Sequence, residues 1–339
     1  MSTAQSSNNI SLDIKELIVQ YRTRKGAITP VDRVSLGVEK GECLGIAGES
    51  GCGKSTLAQA IMHLLPQNAR IVSGNMLFDG ADLTQATEKD YAQSIWGKQI
   101  IMIGQNPHDA LNPVFRVSDQ LIEILKTHQT SENSGRKQAR RDRLQEIEAI
   151  LTSMGIPDIQ RVLSAYPHQL SGGMKQRVLI AMAFFCNPAV LIADEPTTAL
   201  DATIAAQVVE LFKELTEKSS VSIVYITHDI ALLSELSQRI AVMYAGQVVE
   251  VGKTKVIAGA PVHPYTEALL QALPSASKDR LNTIPGRVPD FHKIAPGCRF
   301  YSRCRYAEQC EKGDPRLVEI QPGHWARCFL SESRIAKVE

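Results

Sequence analysis

No stretch of this 339-residue sequence is long and apolar enough to cross a bilayer. The longest apolar run, Val178 to Cys186, falls far short of the roughly 20 residues a membrane helix needs. Neither charge is in excess. Thirty-seven basic residues against 36 acidic leave a net charge of +1, so there is no bulk electrostatic attraction to nucleic acid. The opening MSTAQSSNN has no charged-then-apolar layout of a signal peptide. Paired C-x2-C knuckles are missing as well, which argues against a zinc ribbon. These absences lead to the expectation of a cytoplasmic protein that another chain must recruit if it works at a membrane. One basic cluster stands out, RKQARRDR from Arg136 to Arg143. It reads as a solvated helix face, with contact to lipid headgroups or a partner as the alternative.

The stretch GESGCGKST, Gly48 to Thr56, is the strongest signal present. It fits G-x-x-x-x-G-K-[ST] through Gly48, Gly53, Lys54 and Ser55. The apolar run Cys43–Ala47 leads into it and a helical pattern follows with Leu57, Ile61 and Leu64. That is the strand–loop–helix setting of a phosphate loop. Gly48, Gly51 and Gly53 let the backbone curl so that its N–H groups point inward. The helix start adds partial positive charge. Lys54 supplies a cation for β/γ-phosphates and the Ser55 hydroxyl can ligate Mg²⁺. Glu49, Ser50, Cys52 and Thr56 complete the loop. The implied ligand is a nucleoside triphosphate.

Along the chain, residues 1–10 read as a disordered tail. LDIKELIV and VDRVSLGV read as antiparallel strands, interrupted at Gly26 to Pro30. Further strands are expected at Asn75–Phe78, Gln99–Ile103, Val190–Ala193 and Val221–Ile226. A closing hairpin is expected at Ile240–Met243 and Val248–Val251. Helical patterns cover residues 54–65, Val117–Thr127, Gln138–Met154, Met174–Cys186 and Ala202–Glu217. An α/β core over residues 11–252, with a helical insert at about 106–187, follows from this order. Beyond it the composition shifts. Residues 253–297 hold six of the 16 prolines, and 298–328 hold four of the seven cysteines. This reads as a linker and a small appended module.

Asp194 follows the apolar strand Val190–Ala193, so its carboxylate emerges where open α/β sheets bind ligands and where it can hold Mg²⁺. Glu195 comes next, placed to polarise a water for attack on the γ-phosphate; a turn dipeptide before Pro196 is the plainer reading. LSGGMKQR, Leu170 to Arg177, opens a helix that Ser171 can cap while Gly172 and Gly173 leave its N–H groups bare.

The order GESGCGKST, Gln105, LSGGMKQR, LIADEP, TALD and His228 resembles the ATP-binding subunits of ABC transporters over residues 11–252. The resemblance implies an α/β P-loop ATPase core with an antiparallel β subdomain and a helical subdomain. It also implies that two such subunits meet head to tail, the LSGG turn of one closing over the ATP of the other. Gln105 then contacts Mg²⁺ and the attacking water, Asp201 lies at the dimer seam, and His228 touches the γ-phosphate. Tyr21 stands at the distance for stacking on adenine, with an ordinary strand aromatic as the alternative. The sequence departs from the family pattern twice: Met174 stands at the fifth position of the LSGGQ pattern, and Cys52 replaces the common serine of the phosphate loop. Met174 cannot supply an amide side chain, so any role of that group is absent, but the Ser171 hydroxyl and the glycine N–H groups remain for phosphate contact. Cys52 contributes through its backbone, so little effect is expected.

HPYTEALLQALP (His263–Pro274), IPGRVPD (Ile284–Asp290) and PGCRFYSRC (Pro296–Cys304) resemble the extension of oligopeptide/dipeptide importer ATPases, whose relatives also handle nickel and other small solutes. The cysteines fall as Cys298-x5-Cys304-x5-Cys310-x17-Cys328. Disulfides do not suit a reducing cytosol. The spacing suits a [4Fe–4S] cluster, which the resemblance also implies, with zinc or unligated thiols as alternatives. A structural staple or a redox sensor are the two roles considered for it.

The resemblance thus implies an importer ATPase at the cytoplasmic face of the inner membrane. Its expected partners are a second ATPase subunit (a related chain or a second copy), two integral permease subunits and, indirectly, an extracytoplasmic solute-binding protein. The region after Gln105, NPHDALNP, is expected to dock the permeases, and no nucleic acid is expected. Two rivals remain: a non-transport ABC ATPase, against which the single cassette speaks, and a regulatory iron–sulfur subunit, against which the complete Asp194, Glu195 and His228 set speaks.

Overall fold

The computed structural model describes residues 9–106, 110–128, 136–198, 200–218, 220–273, 284–310 and 313–330, with 128, 136–142 and 218 by backbone alone. Part of the expected tail, part of NPHDALNP, Ala199 of TALD and Pro274 lie outside the described residues, as do most side chains of the Arg136–Arg143 cluster. Among the described residues twelve strands follow in chain order: β1 (Ile10–Thr23), β2 (Gly26–Glu39), β3 (Cys43–Ala47), β4 (Ala69–Phe78), β5 (Ala81–Asp82), β6 (Ile100–Ile103), β7 (Val190–Asp194), β8 (Ser222–Thr227), β9 (Arg239–Tyr244), β10 (Gln247–Lys253), β11 (Val318–Gln321) and β12 (His324–Ala326). The backbone divides into two compact units, residues 1–88 with 222–339, and residues 89–221.

In the first unit, β3 is flanked in parallel by β8 and β9, pairing Leu44 with Val224 and with Arg239. Every residue of β3 is buried, as expected of a strand covered on both faces. It delivers the chain directly into the phosphate loop and the helix Lys54–Ile61. β10 turns back antiparallel on β9, and β12 and β11 extend the same sheet. A second sheet runs β2-β1-β4-β5, all antiparallel.

Two expectations are corrected here. The break expected at Gly26–Pro30 lies instead at the Thr23↔Gly26 turn, and β2 runs through Pro30. β2 is the edge strand of its sheet, where a proline's missing N–H is tolerated. The stretch after residue 252 is not a bare linker. It begins with the helices Thr254–Gly259 and Pro264–Gln271. Pro264 sits at the first helical turn, where a proline is favoured, and the His263 ring accepts the Tyr265 N–H at 3.1 Å.

The second unit contains parallel β6 and β7, paired from Ile100↔Val190 to Ile103↔Ala193. Its main helices are Val117–His128, Arg136–Ser153, Ile159–Ser164, Gly172–Phe185 and Ala202–Lys218. Leu121, Leu125, Ile147, Leu151, Val178 and Phe212 are among its buried side chains. Among the described residues no helix is long and apolar enough to cross a membrane.

Candidate functional site

The phosphate-loop half lies in the first unit. Gly53 stands at φ 110°, and a Cβ there would come within 2.0 Å of the Pro30 carbonyl oxygen, so only glycine fits. The helix it opens has no side-chain cap and no acidic residue in its first turn, which leaves the N-terminal field to an outside anion. Lys54 is buried, and its Nζ donates to the carbonyls of Gly48 at 2.7 Å and Glu49 at 3.2 Å. Its cation therefore rests on loop carbonyls rather than on a carboxylate, positioned to turn to a phosphate. The loop is braced from outside, since the Gly246 N–H donates to the Cys52 carbonyl at 2.7 Å. The Glu49 N–H donates to Tyr265 Oη at 2.9 Å, and the Glu49 carboxylate pairs with Arg303. Cys52 is fully buried; burial raises its thiol, against the opposing pull of the Lys54 ammonium. Ser50, Gly51 and Ser55 are exposed and Thr56 is half-buried.

Tyr21 stands on β1 opposite Ile28 and Ala69, and its hydroxyl reaches Gln59 at 3.4 Å. His228 is exposed just past β8. The next residue, Asp229, caps the helix Ile230–Leu236 by accepting the Ala231 and Leu232 N–H groups.

The second unit carries the acidic half. Asp194 ends β7 and is 5% exposed. Glu195 adopts φ 49°, a left-handed conformation rare outside glycine and a mark of functional sites. Thr198 Oγ1 donates to Glu195 Oε2 at 2.9 Å, and Gln105 Nε2 reaches the same oxygen at 3.4 Å. The structure thus brings Gln105 and Glu195 together and adds Thr198, the first residue of TALD, as a partner of the carboxylate. Asp201 caps the helix Ala202–Lys218 by accepting the Ile204 N–H at 3.0 Å.

The LSGG segment lies in the same unit. Ser171 is the N-cap of Gly172–Phe185, its hydroxyl accepting the Met174 N–H at 3.4 Å. A Cβ on Gly173 would meet the Ile204 Cγ2 at 2.4 Å, so the glycine permits close packing of two helices. Ser171 and Met174 open onto a pocket of about 710 Å³ together with Arg116, Arg161 and Gln169. The two arginines suit an anionic ligand, and their approach is tertiary, invisible to a reading of the octapeptide.

The residues present fit ATP and Mg²⁺. In the first unit an uncapped helix start, an internal lysine and bare glycine backbone suit a triphosphate, with Ser55 as a hard oxygen donor. In the second, Gln105 and Asp194 are oxygen donors of the kind Mg²⁺ takes.

The described geometry gives the iron–sulfur expectation no support. Among the described residues no three His, Cys, Asp or Glu side chains form a group able to hold a metal ion. Cys298, Cys304, Cys310 and Cys328 are all half-buried and none is in a disulfide. Cys304 and Cys310 each close a short 3-10 turn, and Cys328 lies past β12. Burial raises the Cys298 and Cys310 thiols, and nearby cysteines add to the rise.

Comparison with known proteins fits this geometry. Residues 31–198 match the family model "ABC transporter" and residues 249–310 match "Oligopeptide/dipeptide transporter, C-terminal region". The chain is 44% identical over 320 residues to the dipeptide transport ATP-binding protein DppD of Escherichia coli, covering 94% of this chain and 95% of the relative. It is 42% identical over 330 residues to the oligopeptide transport ATP-binding protein AppD of Bacillus subtilis, covering 96% and 98%. A dimeric ATP-binding cassette solved in a post-hydrolysis state with ADP and Pi superposes with a TM-score of 0.62 at 27% identity, over 72% of this chain and 98% of that one. With matching motifs, fold and extension, the chain belongs to the ATP-binding subunits of ABC transporters, in the oligopeptide/dipeptide branch, and is an ATPase coupled to transport.

Proposed function

We propose that this ATPase powers uptake of di- or oligopeptides from the cytoplasmic face of the membrane. The observation that carries the proposal is the match of both the cassette and the C-terminal region to peptide-transport ATPases. The ATPase core spans residues 11–252, with a helical subdomain at about 106–187, and the extension spans 253–339.

Gly48 to Thr56 cradle the triphosphate, Lys54 meeting the β/γ-phosphates and Tyr21 stacking on adenine. Ser55, Gln105 and Asp194 hold Mg²⁺, which neutralises phosphate charge when bound. Glu195 accepts a proton from the attacking water, its carboxylate oriented by Thr198 and Gln105. His228 donates to the γ-phosphate. Ser171, Gly172 and Gly173 cover the ATP of a neighbouring subunit, and Asp201 faces the seam. The closed pair holds γ-phosphate more tightly than the open one, so hydrolysis releases closure and drives the partner permeases.

The partners are a second ATPase subunit and two permeases, with a solute-binding protein acting through them. The iron–sulfur reading of Cys298, Cys304, Cys310 and Cys328 is carried by donor chemistry and resemblance. No step of the cycle passes through it. Iron and sulfide analysis of the full chain purified without oxygen tests it: about four irons per chain supports a cluster and none contradicts it.

The assembled transporter in vesicles tests the main proposal. Peptide uptake that needs ATP and Mg²⁺ enclosed in the vesicle lumen supports it; ATP-driven uptake of nickel but not of peptides would replace the solute.

A further inference from the structure

The phosphate loop is gripped by the C-terminal extension at one residue. Arg303 Nη1 donates to Glu49 Oε2 at 2.7 Å and Nη2 to Oε1 at 3.0 Å. This is the two-pronged charged pairing that combines strength with fixed geometry. The Arg303 side chain is 4% exposed and Glu49 28%. Its Nε donates to the Pro285 carbonyl at 2.7 Å, and Nη1 also reaches Tyr244 Oη at 3.3 Å. The guanidinium stands 5.6 Å from the Tyr244 ring centre and 5.9 Å from that of Phe300. A buried cation held this way has Glu49 as its carboxylate, and loss of that partner is costly.

The same residue is held through its backbone. Tyr265 Oη accepts the Glu49 N–H. Tyr265 is fully buried and packs on Tyr244 and Phe300 with ring centres 4.6 and 5.4 Å apart. Phe300 and Arg303 come from one segment, whose Arg299 also pairs with Asp32 and donates to the Ala245 carbonyl. Glu49 in turn presents one of the two carbonyls on which the Lys54 ammonium rests; its neighbour Gly48 presents the other. A continuous set of contacts therefore runs from the extension to the phosphate-binding lysine.

We propose that Arg303 is a positioning residue for the nucleotide site: it fixes Gly48 and Glu49 through the Glu49 carboxylate, so that ATP affinity depends on the docked extension. This rests on Gly48–Thr56 being the phosphate loop. Simple electrostatics makes the opposite forecast for one variant. Removing the Glu49 anion beside a triphosphate should tighten ATP binding, whereas loss of positioning weakens it.

The test is equilibrium titration of the full chain with Mg²⁺ and a fluorescent ATP analogue. Glu49→Gln and Arg303→Ala should each raise Kd by about 5- to 20-fold, and the double variant no more than the worse single, because both remove one interaction. Arg303→Lys, which keeps the charge but not the fork, should fall between. Unchanged or tighter binding by Glu49→Gln overturns the inference, as does additive weakening in the double variant. Should Arg303→Ala fail to fold, the isosteric Glu49→Gln decides alone. Lys54→Ala separates the two levels: if it binds ATP like the parent, the phosphate-loop assignment fails. If Lys54→Ala loses binding while Glu49→Gln and Arg303→Ala stay within about twofold of the parent, only the positioning role fails.

Discussion

Thr198 Oγ1 donates to Glu195 Oε2 at 2.9 Å, across a turn in which Glu195 itself takes φ 49°. A carboxylate whose oxygen is already held by a hydroxyl does not have to be ordered when a water arrives. Thr198→Val keeps the branched shape and removes the donor. The expected result is a fall in kcat of about 3- to 10-fold with KM for ATP unchanged, the signature of an interaction that matters after binding. Steady-state turnover of the assembled transporter measures it; a change in KM alone would assign Thr198 to binding instead.

Cys52 stands in the phosphate loop where serine is common in the family, yet it is 0% exposed and its thiol is raised by burial. The thiolate is the reactive form, so a raised thiol is a slow one. Cys43, also 0% exposed, is raised in the same way. Native chain treated with iodoacetamide at neutral pH should leave both unmodified, as read by peptide mass mapping, and should modify them after unfolding in urea. Rapid native modification of Cys52 with loss of ATP binding would contradict the placement.

Glu250 on β10 is 0% exposed and accepts the Val262 N–H at 2.7 Å, the His263 N–H at 3.0 Å and His324 Nε2 at 2.8 Å. One carboxylate thereby ties the sheet to the start of helix Pro264–Gln271 and to β12. Glu250→Gln turns one accepting oxygen into a donor facing another donor. It should cost about 2–5 kcal/mol of unfolding free energy. A fall in the urea midpoint measures this, and an unchanged midpoint would show that the site relaxes around the amide.

Some of this organisation was readable from local pattern, because local pattern is what determines it. Val190–Ala193 and the hairpin around Ala245 and Gly246 announce themselves by apolar runs and a turn, and they form β7, β9 and β10. Gly48 to Thr56 carries its own conformational demands, and the helix begins at Lys54 as expected. What was not readable depends on contacts distant in sequence. Pro30 looks like a strand breaker until β2 is known to be an edge. Pro264 looks like a linker residue until it is seen to open a helix. The cysteine spacing suggests a ligand set, but spacing alone does not dictate whether four sulfurs converge. Tyr265 and Arg303 act on Glu49 through partners distant in sequence, which the stretches around them do not reveal. Thr198 lies only three residues from Glu195, and its role depends on the turn that the left-handed Glu195 backbone makes.

The central claim is that this chain hydrolyses ATP with Glu195 as the group that activates water. The most direct measurement is Mg²⁺-dependent ATP turnover by the assembled transporter carrying Glu195→Gln. The account predicts a fall of about 100-fold or more with ATP still bound, because the amide keeps the shape but cannot take the proton. Turnover equal to that of the parent would contradict it.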